Sequence, residues 1–112
     1  GVIYTHGARE ILLEIDFKDY PGIRSSSEPY ASLAASAIRD RLSTDWGVAE
    51  TGAAGPTGNR YGDESGHTCI AVCGPVNKVL TLETGSLDRE QNMWLFAEKT
   101  LLTLEECIRA LD

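Results

Sequence analysis

Two short apolar runs separated by a glycine-rich loop constrain this chain more than any other feature. Residues 46–74 read WGVAETGAAGPTGNRYGDESGHTCIAVCG, and the loop between the runs holds five glycines and one proline. Trp46-Gly47-Val48-Ala49, stopped by Thr51-Gly52 and followed by Gly55-Pro56, is the pattern of a buried strand that ends at a turn. In an α/β sheet, ligands bind in the crevice beyond the carboxyl ends of the strands. That position would bring the Thr51 hydroxyl to a ligand; a plain turn-forming hydroxyl is the competing reading. Glycines at 52, 55 and 58 let backbone N–H groups approach an anion with no Cβ in the way. Ordered loops of this length are usually functional, so the stretch from Ala53 to Gly66 is expected to contact a ligand.

At 112 residues the chain is one domain, long enough to bury a core. Its hydrophobic fraction of 42% and charged fraction of 24% are those of an ordinary globular protein. The formal net charge is -7 and the basic residues are scattered singly, which argues against a nucleic-acid or anionic-membrane partner. An anionic ligand would have to be held by local backbone dipoles and one or two arginines. Cys69, Cys73 and Cys107 are odd in number and lie in apolar segments; they read as reduced thiols in a cytoplasmic setting. Cys69 and Cys73 would share a strand face with His67, but the usual zinc spacing is missing and no fourth ligand stands out. Neither a metal nor another cofactor is expected. No signal peptide and no membrane-spanning run is present in the sequence. Gly1 leads straight into an apolar run without an initiator methionine, which suggests a fragment or processed product.

In chain order, residues 2–5 read as a strand, and residues 8–15 as a short helix with Ala8, Ile11, Leu12 and Ile15 on one face. Asp19-Tyr20-Pro21-Gly22 is turn chemistry. Residues 25–27 offer a serine N-cap, with Pro29 acceptable in the first turn. The following helix lines up Tyr30, Leu33, Ala34, Ala37, Ile38 and Leu42. Residues 67–73 and 78–84 read as a strand hairpin joined through Pro75-Val76-Asn77. Asp88 suits the start of a last helix, in which Trp94, Ala97, Leu101, Leu104, Ile108 and Leu111 form an apolar stripe, either core or interface. The predicted fold class is therefore α/β, with helices packed on the faces of a mixed sheet in an α/β/α arrangement. Arg60, Asp63 and Glu64 are expected in solvent, and His6 in an exposed loop.

The residues quoted resemble the C-terminal domain of the competence/damage-inducible protein CinA, a family that includes nicotinamide-nucleotide amidases. TGAAGP from Thr51 to Pro56 is close to the family's TGxAGP, and Gly66 enters the next strand as in the family. GVIYTHGAR from Gly1 to Arg9 is similar to its apolar strand, Tyr-Ser and lysine segment. Ser27 with Ala31, Leu33 and Ala34 resembles its helix start, and Arg89 the arginine that opens its last helix. The resemblance spans the whole chain as a single CinA C-terminal-like domain, residues 1–112, with the N-terminal nucleophile segment lacking.

The resemblance implies hydrolysis of nicotinamide mononucleotide to nicotinate mononucleotide and ammonia. Thr51 would assist, and Tyr4, Gly52, Ala53, Gly55, Pro56 and Gly58 would bind the nucleotide. The family's nucleophile is a serine in an ESCTGG-type motif, which would lie upstream of Gly1. Its base is a lysine, and that position holds Arg9. A serine hydroxyl needs an adjacent base, and an arginine stays protonated, although it can hold a phosphate or carboxylate. The alternative is a diverged, non-catalytic member that binds a nucleotide or serves in an assembly. The resemblance also implies self-association, with a homodimer as the simplest case.

Overall fold

The computed structural model describes residues 1–111. Helix α1 (His6–Leu13) is followed by a short 3-10 turn (Phe17–Asp19) and helix α2 (Glu28–Leu42). Strands β1 (Gly47–Ala53), β2 (His67–Cys73) and β3 (Lys78–Glu83) come next, and helix α3 (Arg89–Arg109) closes the chain. The strands form one sheet in the order β1-β2-β3, antiparallel throughout, with Thr51 opposite Cys69 and Cys69 opposite Thr81. The α/β class holds, with α2 and α3 on opposite faces of the sheet; the expected mixed sheet does not.

The difference lies in residues 2–5. They form no strand, and Val2 and Tyr4 are about nine-tenths exposed. Thr5 instead caps α1, its hydroxyl accepting a hydrogen bond from the Ala8 amide at 3.0 Å. A β-prone run without a neighbouring strand gains no ladder hydrogen bonds, and a local cap turns it into a helix start. The strand expected at residues 46–49 runs on to Ala53, which places Thr51 and Gly52 inside the ladder rather than in a turn.

Strand alternation divides β2 between two layers. His67, Cys69 and Ala71 face α2, where Cys69 and Ala71 cluster with the fully buried Ala31 and Ala35. Gly47 permits this approach, since a Cβ there would run into the Ala35 carbonyl. A second cluster joins Leu13 and Ile15 to Tyr30 and Ala34, with Ile3 and Phe17 against it. Ser27 caps α2, accepting from the Tyr30 amide, with Pro29 in the first turn.

On the other face, α3 buries Asn92, Phe96, Thr103 and Cys107. The apolar stripe read from the sequence is not core: Trp94 is 72% exposed and Leu101 68%. Asn92 decides this orientation. Its amide donates to the carbonyls of Ala54 and Ser86, both at 2.9 Å, and its oxygen accepts from the Thr84 hydroxyl. Burying the Asn92 amide with its partners satisfied turns residues 92, 96, 103 and 107 inwards and leaves the leucine stripe outside. Asp88 caps the helix through the Gln91 amide.

Candidate functional site

The loop over residues 54–66 is folded by its own polar groups. The Asn59 side chain accepts from the Tyr61 and Asp63 amides and donates to the Asp63 carboxylate at 2.8 Å. Ser65 is buried and donates to the Ser86 carbonyl at 2.9 Å. Arg89, at the first turn of α3, donates to the Gly55 carbonyl at 3.0 Å. Gly55 has φ of +99°, a conformation closed to most side chains, and a Cβ there would strike the Ser65 hydroxyl. The loop is thus fastened to the start of α3.

Between this loop, the end of β1 and α3 lies a cleft of about 480 Å³. Of the residues singled out in the sequence, Tyr4, Gly52, Ala53, Gly55 and Gly58 line it together, joined by Arg89. Pro56 and Thr51 do not. Thr51 faces the α2 layer, where its hydroxyl accepts from the Ser26 amide at 3.0 Å, and it lines a separate groove of about 530 Å³ with Ile3, Tyr30 and Ile38. Gly52 must lack a side chain because a Cβ would meet the His67 carbonyl and Thr68.

Arg9 lies in neither opening. It is 5% exposed, its guanidinium stacked 3.7 Å from the centre of the Phe17 ring, with one hydrogen bond to the Ser25 hydroxyl at 3.4 Å. Its Nε has no hydrogen-bond partner among the described residues. A buried cation without a carboxylate is expensive, and the cation–π contact offsets part of that cost.

Two groups missed by the sequence reading matter here. The first is Glu50, the one charged side chain in β1, which reaches both the cleft and the groove. Its Oε1 accepts from the fully buried Thr68 hydroxyl at 2.6 Å. The residue is open at its outer side, yet protein packed around the carboxyl group removes solvent and pushes its pKa up, with the Thr68 hydrogen bond partly opposing this. A lone carboxylate within an apolar run was the available signal.

The second is a polar cluster around His67 on the α2 face. Asp63, expected in solvent, is mostly buried and pairs with Arg24 at 2.7 Å. His67 contacts Glu83 through Nδ1, and through Nε2 the Ser26 carbonyl at 2.8 Å and Asp63 at 3.6 Å. Burial pulls the imidazole pKa down, but Glu83, the Ser26 carbonyl and Asp63 outweigh it and the net direction is up. Burial acts to raise Asp63, and its bonds from Arg24 and Asn59 prevail and lower it. The cluster ties Ser26, which accepts from His67 and donates to Thr51, to the loop. His6 is exposed, as the first residue of α1. Cys69 and Cys107 are buried free thiols and Cys73 is half-buried.

The sequence model of the CinA C-terminal domain matches residues 1–108. The chain belongs to this family. A CinA-like protein of Gloeobacter violaceus is 36% identical over 74 residues, which cover 66% of this chain and 17% of that protein. Another, from Nostoc punctiforme, is 32% identical over 84 residues, 74% of this chain and 20% of that one. Among solved structures, a CinA superfamily protein of Escherichia coli superposes with a TM-score of 0.79 at 26% identity, over 92% of this chain and 62% of that one. The competence damage-inducible protein A of Klebsiella pneumoniae superposes with a TM-score of 0.86 at 20% identity, which is a likeness of fold. The CinA-type chain described here therefore spans about a fifth of the curated relatives and 62% to 67% of these two solved ones. No helix among the described residues is long and apolar enough to cross a membrane.

Proposed function

We propose that the cleft binds a nucleotide and that the domain serves carboxamide hydrolysis, converting nicotinamide mononucleotide to nicotinate mononucleotide and ammonia. The observation that carries this reading is the convergence of Tyr4, Gly52, Ala53, Gly55 and Gly58 of the CinA-type motifs with Arg89 on one cleft. Exposed backbone at the loop glycines offers donors for an anionic phosphate or for the oxyanion that develops when an amide carbon is attacked. Arg89 can supply a fixed positive charge to the ligand's phosphate. The nucleophile in this reading is a serine of the ESCTGG type outside the 112 residues. Thr51 acts by holding the Ser26 turn at the back of β1.

A second reading, a nucleotide-binding or assembly domain without turnover, is favoured by Arg9. Its guanidinium is stacked on the Phe17 ring, and an arginine keeps its charge at neutral pH and so cannot take a proton from a nucleophile. Calorimetric titration with nicotinamide mononucleotide, together with an ammonia assay on a form of the protein that includes the serine segment of this reading and on its Arg9→Lys variant, separates the two. Binding with ammonia release supports hydrolysis. Binding without release from either form supports the second reading, and absence of binding removes the nucleotide from both.

A further inference from the structure

We infer that Glu50 makes the cleft selective for ligands that present an uncharged N–H donor or a cationic group, and that it rejects the corresponding carboxylate. This rests on the nucleotide reading above and specifies which end of the ligand meets which wall. Arg89 and the glycine loop bring positive potential to one part of the cleft, and Glu50, midway along β1, brings a carboxylate. Glu50 is held in place. Its Oε1 is fixed by the hydroxyl of Thr68, which has no exposure of its own, while Oε2 accepts no hydrogen bond among the described residues. A buried hydroxyl of this kind sets the side-chain conformation and leaves one oxygen for an incoming donor.

A carboxamide offers two N–H donors to that oxygen. The carboxylic product of hydrolysis offers only acceptors, and at neutral pH it carries a like charge, which costs binding energy in a partly desolvated site. Nicotinamide and nicotinate mononucleotides differ at this one group and share the phosphate, so their affinity ratio isolates the contribution of Glu50. An amide-selective site of this kind would also expel its own product.

Burial and the Thr68 hydroxyl act on the Glu50 carboxyl in opposite directions, and burial wins. The ratio should therefore narrow on acidification at a pH above that of an ordinary glutamate, because a protonated carboxyl can donate to a carboxylate. The other titratable side chains facing Glu50 are Tyr4 from the N-terminal run, Arg89 from α3 and Arg41 from α2 across the groove.

The test is calorimetric titration of both nucleotides into the wild-type chain, Glu50→Gln and Glu50→Asp at neutral pH, with circular dichroism to establish folding. Glutamine keeps an acceptor for Thr68, so the fold should persist. The expected result is an amide-over-acid preference of about tenfold or more in the wild type, falling to within about threefold in Glu50→Gln through tighter binding of the acid. Glu50→Asp should keep part of the preference. Equal affinity of the wild type for both nucleotides, or an unchanged ratio in Glu50→Gln, overturns the assignment of Glu50 and leaves the nucleotide reading standing. Failure of the wild type to bind either nucleotide overturns both.

Discussion

Two segments approach β1, and they differ in the opposite sense from their composition. Residues 1–5 are apolar and β-prone, yet Val2 and Tyr4 stand in solvent. Residues 54–66 are rich in glycine and polar side chains, yet they are fixed by Asn59, Ser65, Arg24 with Asp63, and Asn92. Hydrophobicity orders a segment only where another surface is there to take it. A polar loop can be ordered without a core when each buried carbonyl and amide has a partner.

The largest effect that would break this comparison is expected from Asn92→Ala, which takes the amide donor from the Ala54 and Ser86 carbonyls and leaves the Ser65 hydroxyl as their one side-chain donor. It should cost about 2–4 kcal/mol in urea unfolding and loosen the loop in hydrogen exchange; a loss below about 0.5 kcal/mol would show that the loop does not depend on this anchor. Gly55→Ala is next, at about 1–3 kcal/mol for forcing a side chain into a positive φ beside Ser65, read from the same unfolding curves. The His67 cluster gives a pH signature. His67 is raised from 6.5, so its stabilising effect is complete below that value and is lost as pH rises through the raised one; Asp63 is lowered from 3.8, so its effect is present above 3.8 and is lost as pH falls. The thermal midpoint should therefore form a plateau that declines on both sides, and Asp63→Asn should flatten the acid limb. The smallest effect belongs to the other segment: Tyr4→Ser should change stability by less than about 0.5 kcal/mol while weakening nucleotide binding at the cleft that Tyr4 lines.

Elements whose signals are local were legible in the sequence. The Ser27 and Asp88 caps and the β2–β3 hairpin depend on neighbours a few residues away, and each stands where its residues indicated; the α2 stripe holds only in part, because Ala31 and Ala35 rather than Ala37 meet the sheet and Leu42 is exposed. The glycines at 52, 55 and 58 were read for backbone approach, and they line one cleft together. What failed depended on distant partners. Periodicity left the Trp94 and Leu101 stripe as either core or interface, and the core alternative fails because Asn92, bonded to carbonyls 6 and 38 residues away, takes the inward side of α3. Asp63 reads as a solvated loop acid until Arg24, 39 residues away, is brought beside it. Glu50 was passed over because it stands just before the Thr51–Pro56 motif and is a single carboxylate with no spacing pattern of its own.

The position of β1 at the margin of the sheet has a consequence for handling the protein at high concentration. A strand with an unpaired backbone row is a template for a second copy, and a charge on that strand is a common deterrent. In β1 the deterrent is Glu50 alone, and its carboxyl takes up a proton at a higher pH than an ordinary glutamate. Mild acid should therefore remove the protection before the fold is lost, and light scattering should rise ahead of any change in the far-ultraviolet spectrum.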